Sequence, residues 1–348
     1  MKKKILVIGH KGYVGTILIN YLRKIKKYKK SIYGIDTNLF SLNDYNSNKK
    51  LPFIEIDKDC RKINLSKLPS KPDTIIYLAA VSNDPMGKNF KLATEDINFL
   101  NCIKLAKQAK KLKIDKFIFA SSCSMYGSSG NSLKKENDKL QPLTDYAKSK
   151  VNSEKKLKKI SSKKFKIISL RFATAAGLSD NLRLDLVFND FIANASLKKE
   201  IELLSSGNSW RPLIHVNDMA KAFHWAIEYK LRKNFLAVNI GSEKWNFKII
   251  DLAKKIAKVI KGVSIKINNN SVDKRSYRVD FSLFKKIAPK YQPSMKFKIA
   301  VKQLELFFKK KKSSLKNFRN SPKWSRLSRL NHLIKNKKIN KKLYWINT

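Results

Sequence analysis

The sequence predicts an α/β protein built on a doubly wound parallel sheet, followed by a smaller C-terminal lobe. Three observations lead to this prediction. A short, continuous apolar run from Ile5 to Ile8 is typical of a strand that is buried on both faces. A glycine-rich turn follows this run directly, and strand-like and helical patterns then alternate as far as Leu170.

The glycine turn separates the first strand from a helical pattern. Glycine recurs at every third position, and apolar residues then continue at helical spacing as far as Ile25. Strand, turn and helix in this order open a Rossmann-type dinucleotide-binding unit, in which backbone approaches a pyrophosphate at a helix N-terminus. The cofactor contacts predicted in this turn are Gly9, Gly12, Tyr13, Val14 and Gly15.

The second strand, Ser31 to Ile35, ends in Asp36, about 20 residues beyond the glycine turn. A carboxylate at this place accepts the ribose hydroxyls and repels a 2′-phosphate, which favours NAD over NADP. Lys11 favours the opposite choice, because a cation in the turn could contact a 2′-phosphate. We expect NAD, since Asp36 lies at the strand end where the ribose belongs.

Two further strands are predicted from Phe53 to Ile56 and from Thr74 to Leu78. Asp57 and Asp59 follow the strand that ends at Ile56. Either one of these carboxylates is expected to contact the adenine, or both are simply turn residues. The small residues after the second strand, which let the chain pass close under a cofactor, are Ala79 and Ala80.

A long helix from Asn98 to Lys111 leads to a fifth strand, Phe117 to Ala120. This strand ends in a serine-rich segment over residues 121–127. Hydroxyls at the carboxyl end of a buried parallel strand face the crevice in which open α/β sheets bind ligands. We therefore expect Ser122 and Ser124 to face a substrate.

Tyr146 and Lys150 are four residues apart, which places them one turn apart on the same face of a helix. Thr144 is the predicted N-cap of that helix. A base that works near neutrality needs roughly 4 kcal/mol of preferential stabilisation of the phenolate. The Lys150 ammonium and an oxidised nicotinamide can supply it. The alternative is a surface tyrosine beside a solvated lysine, a pair that arises by chance in a lysine-rich chain.

The pattern changes after Arg171 and predicts a second lobe, which would bind the substrate. A helix is expected from Leu182 to Leu197, with short strands around Ile201 to Leu204 and around Leu213 to Ile214. Arginine is the preferred bidentate ligand of phosphate, although an isolated arginine more often forms a surface salt bridge. The arginines expected to hold a diphosphate are Arg211, Arg275 and Arg278.

Simpler roles are expected for other features of this half of the chain. His215 is expected to be a structural hydrogen-bonding residue and His224 a helix-packing residue, and Asp251 to Ile260 is an amphipathic helix. A Lys/Ser-rich linker, Lys309 to Lys316, precedes apolar residues at helical spacing from Trp324 to Trp345. That last segment packs on the body, forms a subunit contact or lies on a membrane surface, and the first two are favoured.

Composition limits the classes of partner. The formal charge of +50 over 348 residues suggests nucleic acid or an anionic membrane. Only 11 of the 76 basic residues are arginine, however, and the lysines are scattered. A codon bias that coats the surface with lysine explains this better, so we expect no nucleic-acid partner.

Cysteine usage and hydropathy indicate a compartment. The three cysteines are too dispersed for a disulfide framework, and the four histidines show no ligand spacing with them, so no metal is expected. The N-terminal apolar run is too short for a signal peptide, and no run reaches transmembrane length. We expect a protein of the reducing cytoplasm with no integral membrane segment.

Taken together, these motifs resemble the extended short-chain dehydrogenase/reductase family. Within it, the chain is similar to the NAD-dependent nucleotide-sugar epimerase/dehydratase branch, as in UDP-glucose 4-epimerases, from about residue 3 to about residue 308. The residues that carry the resemblance are Gly9, Gly12, Gly15, Leu78 to Ala80, Asn98, Ser121 to Gly127, Tyr146, Lys150, Arg171, Phe172, Arg211 to Asp218 and Asn239 to Gly241.

The domains expected from this comparison are an NAD-binding Rossmann domain over residues 1–172, a substrate-binding lobe over 173–308 and a basic, helical extension over 309–348. A strand near 236–240 is expected to return to the first domain. The resemblance implies a homodimer that acts on a nucleotide-diphosphate sugar in carbohydrate metabolism, such as polysaccharide biosynthesis.

The resemblance also implies a role for each matched residue. Ser122 would hydrogen-bond a sugar hydroxyl, Tyr146 would be the acid/base, and Lys150 would hold the nicotinamide ribose and tune Tyr146. Arg211 would hold the substrate's diphosphate with help from Arg275 or Arg278. The remaining expected contacts are Asn98 with the cofactor, and Ser124 and Thr174 with the substrate.

Departures from the family pattern limit the reaction. The 4,6-dehydratases carry an Asp-Glu pair directly after the catalytic hydroxyl residue, where this chain has Cys123 and Ser124, which argues against water elimination. Residues Thr174 to Ala176 stand where epimerases often have Asn and bulkier residues, so the sugar stays open. The expectation is an NAD-dependent 4-epimerase. The alternatives are a nucleotide-sugar 4-reductase or dehydrogenase, which the Gly-His-Lys-Gly opening also resembles, and a non-catalytic NAD-binding module.

Overall fold

The computed structural model of the chain describes residues 3–40, 54–268, 275–315 and 317–346. Its strands are β1 Ile5–Ile8, β2 Ile32–Asp36, β3 Ile54–Asp57, β4 Thr74–Tyr77, β5 Lys116–Ser122, β6 Ser128–Lys134, β7 Lys166–Phe172, β8 Thr174–Ala176, β9 Glu200–Leu203, β10 Trp210–His215, β11 Phe235–Ile240, β12 Asn246–Lys248, β13 Ser264–Ile267 and β14 Ser276–Val279. Its α-helices are α1 Tyr13–Arg23, α2 Asp84–Asn89, α3 Lys91–Glu95, α4 Asn101–Lys111, α5 Asp145–Ile160, α6 Val187–Lys198, α7 Val216–Glu228, α8 Ile249–Val259, α9 Ser282–Ile287, α10 Phe297–Lys310 and α11 Arg326–Lys335.

Seven of the described strands form one parallel sheet in the order β11-β7-β5-β4-β1-β2-β3. The strand order reverses between β1 and β4, because the connections after these two strands run to opposite sides of the sheet. This reversal leaves a crevice at the carboxyl ends of β1 and β4. The predicted doubly wound parallel sheet is confirmed. All the predicted strand-end residues of this sheet therefore lie along one edge.

The first strand shows why its sequence is continuously apolar. All four residues of β1 are fully buried, because the sheet is covered on both faces. Ile5 and Val7 belong to the core that α1 and α7 cover, whereas Leu6 and Ile8 belong to the core beneath α4. Successive side chains of a strand point to opposite faces, so each face receives two of the four.

The second lobe consists of short strands and three larger helices. Strands β8, β10 and β12 form one small sheet, β9 pairs with β13, and β6 pairs with β14. Helices α6, α8 and α10 pack together over this lobe. Strand β11 follows part of the lobe in sequence but pairs with β7 in the large sheet, so the chain crosses between the two units more than once.

The larger differences from the predicted boundaries lie in the second lobe and in the C-terminal extension. Helix α6 begins at Val187 rather than Leu182, because Leu182 and Leu184 are buried in the core before the helix starts. Helix α10 continues to Lys310, into the predicted linker, and α11 covers only part of the apolar stretch that ends at Trp345. Two predicted end residues, Phe53 and Lys316, lie outside the described residues.

Candidate active site

A cleft of about 930 Å³ opens at the carboxyl ends of β1, β4 and β5. This volume lies at the upper end of the range for ligand sites, which is about 300–1,000 Å³. The sheet contributes the glycine turn, Asp36 and the residues after β4 and β5 to its wall, and the second lobe contributes residues from β8 and β10. The cleft therefore lies between the two units, at the switch point of the sheet.

The glycine turn is shaped for close approach of backbone to a ligand. Gly9 has a positive φ of 92°, and a Cβ atom there would lie 2.7 Å from the Ala79 nitrogen. A Cβ on Gly15 would lie 2.4 Å from the Gly9 carbonyl oxygen. Neither glycine can be replaced without moving backbone. Tyr13 and Val14 begin α1 and line the cleft, and the Tyr13 hydroxyl donates to the Gly177 carbonyl at 2.6 Å.

Asp36 ends β2 and lines the cleft. Its carboxylate accepts hydrogen bonds from the backbone N–H groups of Lys11 (3.0 Å) and Asn38 (3.1 Å), which fix its position. The Lys11 ammonium is bound elsewhere, at 2.8 Å from Asp57 and 3.6 Å from Glu55. Partial burial opposes the charge of Lys11, but these carboxylates together raise its pKa. Lys11 is thus engaged by acidic side chains, which weakens the argument for NADP.

The other residues predicted to contact the cofactor fall into two groups. Ala79 and Ala80 line the cleft beside the glycine turn. Asp57 is not among the described residues that line the cleft; its hydrogen bond with Lys11 lowers the pKa of the Asp57 carboxyl. Asn98 is fully buried behind the wall, where its amide bonds both the N–H and the C=O of Val81 at 2.8 and 3.0 Å. Asn98 therefore holds the loop after β4 in place.

Tyr146 lies in the first turn of α5, which Thr144 caps by accepting a hydrogen bond from the Ala147 N–H at 3.2 Å. The predicted helix and its N-cap are confirmed. The Tyr146 side chain lines the cleft, and its phenol lies near the Ser122 hydroxyl. Burial raises the pKa of Tyr146 to about 12, and the Ser122 hydroxyl only partly opposes that rise. The expected lowering of this pKa is absent here, because desolvation disfavours the phenolate.

Lys150 is 2% exposed and lines the cleft one turn beyond Tyr146. Its ammonium donates to the Ala120 carbonyl at 2.7 Å and lies 5.5 Å from the centroid of the Tyr146 ring. Burial lowers the pKa of Lys150 to about 8. The lysine is therefore close to the phenol and fixed by the end of β5, so the surface-pair alternative is wrong.

The serine-rich segment presents two hydroxyls to the cleft. Ser122 donates to the Ser124 hydroxyl at 2.9 Å and accepts from the Ser124 N–H at 3.1 Å. Cys123 between them is 1% exposed and donates its thiol to the Arg171 carbonyl. Burial raises the pKa of that thiol far above its usual range. The side chain at this position therefore faces the core and has no acid/base role in the cleft.

Two of the three predicted phosphate ligands line the cleft. Arg211 is 5% exposed and donates from Nη1 to the Trp210 carbonyl at 2.7 Å. Arg275 forms an ion pair with Asp84 across the cleft mouth. Arg278 instead lies over the Trp210 ring, at 4.5 Å from its centroid, and is not among the described residues that line the cleft. The structure thus brings together Arg211, Arg275 and Thr174 but separates Arg278 from them.

The sequence prediction missed several charged residues of the cleft wall, among them Arg183, Asp185 and Arg326. Arg183 forms a bidentate ion pair with Asp185, at 3.0 and 2.5 Å, and also bonds the Ser82 hydroxyl at 2.9 Å. Arg326 comes from the C-terminal extension. The signal available in the sequence was the scarcity of arginine, with 11 among 76 basic residues. In the structure five of the 11 arginines are buried, whereas Lys150 is the only buried residue among the described lysines.

The two histidines with predicted roles are structural. His215 Nδ1 accepts from the Asn217 N–H at 3.2 Å and so caps α7, and burial lowers the pKa of His215 to about 4. His224 packs against the rings of Tyr21, Tyr28 and Tyr291. Both predictions are confirmed.

The described residues offer neither a metal centre nor a membrane span. Within them, no group of three His, Cys, Asp or Glu side chains is placed to hold a metal ion. All three cysteines are buried, and none of them forms a disulfide. No helix in the described ranges has both the length and the apolar character needed to cross a bilayer.

Comparison with known proteins places this geometry in a family. Residues 5–241 match the model of the NAD dependent epimerase/dehydratase family. A Bacillus subtilis (strain 168) protein named "Uncharacterized UDP-glucose epimerase YtcB" is 30% identical over 230 residues, which cover 63% of this chain and 70% of that protein. The UDP-glucose 4-epimerase of Rhizobium meliloti (strain 1021) is 26% identical over 276 residues, covering 73% and 82%.

The fold is shared with solved structures. The UDP-glucuronic acid 4-epimerase from Bacillus cereus, in complex with UDP-glucuronic acid and NAD, superposes with a TM-score of 0.76 at 24% identity. The match covers 88% of this chain and 99% of that one. At this level of identity the likeness concerns the fold.

Proposed function

We propose a reaction on the premise that this chain belongs to the NAD-dependent epimerase/dehydratase family. NAD is the cofactor of that family, as the sequence predicted. The proposed function is a nucleotide-sugar 4-epimerase, in which a sugar C4 hydroxyl is transiently oxidised and then reformed on the other face. The observation that carries it is the placement of Tyr146 beside Lys150, whose ammonium lies 5.5 Å from the Tyr146 ring centroid, and next to Ser122 in the same cleft as the glycine turn.

The residues of the cleft fit the cofactor. The glycine turn leaves no room for a Cβ at Gly9 or Gly15, and it ends at the N-terminus of α1, as a pyrophosphate site requires. The Asp36 carboxylate is held in position by hydrogen bonds from two backbone N–H groups. It would accept hydrogen bonds from the adenosine ribose hydroxyls. When bound, NAD supplies the acceptor and donor for the C4 hydride. Further cofactor contacts proposed are Gly12, Tyr13, Val14, Ala79 and Ala80.

Tyr146 is the proposed acid/base. Its phenolate would take the proton from the C4 hydroxyl when the sugar is oxidised, and the phenol so formed would return that proton when the 4-keto sugar is reduced. Ser122 would hold the sugar hydroxyl in line with the phenol, because the two side chains are neighbours on the cleft wall. Lys150 would hold the nicotinamide ribose and keep a positive charge near the phenol, which offsets part of the desolvation of the phenolate.

The second lobe would bind the nucleotide sugar. Arg211 and Arg275 are the proposed ligands of its diphosphate, and Ser124 and Thr174 line the sugar end. Arg278 is left out of the proposed site because it packs on Trp210. Cys123, which faces the core, supports epimerisation over water elimination, since elimination needs a further acid/base group.

The proposal is tested with purified protein, NAD and a panel of UDP- and dTDP-sugars followed by NMR. We expect interconversion of C4 epimers with no net change in nicotinamide absorbance. A stoichiometric absorbance change would indicate the reductase or dehydrogenase instead. NAD binding without turnover on any sugar would indicate a non-catalytic module.

Tyr146→Phe tests the assigned base in the same assay. We expect turnover to fall by about 10²- to 10⁴-fold, the usual contribution of a positioned acid/base, while NAD still binds. Tyr291→Phe is the matched control, because Tyr291 packs on His224 and is not among the described residues of the cleft wall. A fully active Tyr146→Phe variant would refute the assignment.

A further inference from the structure

The C-terminal segment, defined as residues 317–346, covers one side of the cleft. Arg319 ties its start to Asp190 in α6, at 2.8 Å. Near its end, Arg61 donates to the carbonyls of Lys342 and Leu343 at 2.7 and 3.0 Å. The residues of this segment that line the cleft are Phe318, Arg319, Trp324, Ser325, Arg326 and Leu343. The segment lies beyond the matched family region, which ends at residue 241.

Arg326 is the unusual residue of this segment. It is only 9% exposed, and its guanidinium lies over the Phe40 ring at 4.6 Å from the centroid. Its Nε and Nη2 atoms are buried and have no hydrogen-bond partner among the described residues. Buried charged donors in proteins are almost always paired. A buried guanidinium with open donors on a cleft wall therefore indicates a bound anion.

The neighbouring charges strengthen this argument. Arg183 lies close to Arg326, and its own donors are taken by Asp185 and Ser82. Burial and the charge of Arg183 lower the pKa of Arg326 to about 9, so Arg326 is still charged at neutral pH. Asp185 is engaged by its bidentate pair with Arg183, and although Asp36 also acts on the charge of Arg326, neither carboxylate is hydrogen-bonded to the buried Nε and Nη2 atoms of Arg326. An anion in the cleft would supply the missing acceptor.

The position of Arg326 identifies the anion. Arg326 is the first residue of α11, whose N-cap Ser325 also lines the cleft, so the positive end of this helix dipole is directed there. Asp36 and Tyr13 act on the charge of Arg326, which places it near the end of β2 and the start of α1. This is the adenosine-diphosphate end of the dinucleotide site, and it is remote in sequence from the sugar-facing serines.

We propose that Arg326 binds the phosphates of the dinucleotide, so that the C-terminal segment completes the cofactor site opposite the glycine turn. The inference rests on NAD occupying the cleft and is independent of the sugar reaction. It assigns the extension a binding role in addition to packing.

Calorimetric titration of Arg326→Met with NAD, ADP, adenosine and UDP tests the proposal without any turnover. We expect affinity for NAD and ADP to fall at least about tenfold, the loss of one or two hydrogen bonds to a charged group. Affinities for adenosine and UDP should stay unchanged. Arg329→Met, one turn further along α11 and not among the described residues of the cleft wall, is the matched control and should bind all four ligands normally.

Two results would overturn the proposal. One is an unchanged affinity for ADP in Arg326→Met, and the other is a loss confined to UDP, which would assign the arginine to the nucleotide sugar. If Arg326→Met does not fold, hydrogen exchange on the wild-type protein decides. ADP but not adenosine should slow amide exchange in the first turn of α11, and equal protection by both ligands, or by neither, would contradict phosphate binding.

Discussion

At the scale of single residues, Lys150 links burial to pH dependence. The ammonium is fixed by the Ala120 carbonyl, and burial lowers its pKa to about 8. The residue is therefore charged below pH 8 and becomes a neutral amine as the pH rises through 8. A neutral Lys150 no longer offsets the negative phenolate of Tyr146, so catalysis that depends on this charge must decline on the alkaline side.

We predict that wild-type turnover falls as the pH rises through about 8, as measured by initial rates under saturating cofactor. Lys150→Met should lose at least about 10²-fold in turnover and should no longer show this alkaline decline. Lys148→Met, which removes an exposed lysine from the same helix, should keep the wild-type profile. A wild-type rate that is constant through pH 9 would contradict the role given to Lys150.

A second residue-scale prediction concerns cofactor choice. Asp36→Asn keeps one of the two oxygens that accept from the N–H groups of Lys11 and Asn38, and it removes the charge that repels a 2′-phosphate. The ratio of NAD to NADP affinity should fall about tenfold, since a hydrogen bond to a charged group contributes roughly 1.5–3 kcal/mol. Calorimetric titration of the wild-type protein and the variant with NAD and with NADP measures this ratio of affinities.

The control for cofactor choice is Asp115→Asn. Asp115 is exposed just before β5, at the opposite edge of the sheet from the cleft. Its neutralisation should leave both affinities unchanged. An Asp36→Asn variant with an undiminished preference for NAD would show that another group rejects the 2′-phosphate.

At the scale of elements, a buried ion pair joins the catalytic helix to the sheet. Arg171 in β7 and Glu154 in α5 are 6% and 4% exposed, and Arg171 Nε lies 3.1 Å from both Glu154 oxygens. Removing one partner leaves an uncompensated buried charge. The pair therefore fixes α5, and with it Tyr146, against the end of β7.

We predict that Arg171→Met lowers the free energy of unfolding by about 3–5 kcal/mol, as measured by urea denaturation. Arg232→Met, which removes an exposed arginine just before β11, should change it little. If Glu154→Gln restores stability to the Arg171→Met protein, the loss came from the isolated carboxylate. Equal stability of the two single arginine variants would be inconsistent with a structural role for the pair.

Local elements were predictable because their signals are local. The glycine turn, the capped helix of Tyr146 and the strand-end position of Asp36 each depend on residues that are adjacent in sequence. The placement of Asn98 behind the cleft wall, and of Arg278 on Trp210, depends on contacts between distant parts of the chain. Residue spacing does not encode such contacts, so these two assignments could not be made from sequence alone.

At the scale of the whole molecule, the cofactor should bind the two sides of the cleft together. Ligand present at 100 times its dissociation constant stabilises the native state by about 2.7 kcal/mol. We predict that NAD raises the melting temperature by roughly 5 °C, at ~2 °C per kcal/mol for a chain of this size. Scanning calorimetry with and without NAD measures the shift.

Gly15→Ala provides the comparison for this measurement. Its Cβ would lie 2.4 Å from the Gly9 carbonyl oxygen and would distort the turn, so NAD should no longer raise the melting temperature. Gly87→Ala, whose Cβ would lie at an ordinary 3.5 Å from the nearest atom, should keep the shift. An equal shift in both variants would mean that the glycine turn does not hold the cofactor.

The large positive charge of the chain comes from lysines that lie at the surface of the described structure. Lys150 is the one buried lysine among the described residues, so the lysine excess lies on the surface, as composition suggested. The docking of the C-terminal segment was not predictable, because Arg61 and Leu343 are 282 positions apart. Helical spacing located α11 but gave no information about the surface on which it packs.

The pairing of β11 with β7 has a consequence for biosynthesis. Until the ribosome has released residue 240, the outer side of β7 has no neighbouring strand, and its free amide and carbonyl groups flank apolar residues such as Ile167 and Leu170. Unpaired strands of this kind recruit other chains. A chain that stops near residue 172 is therefore expected to expose this edge and to aggregate.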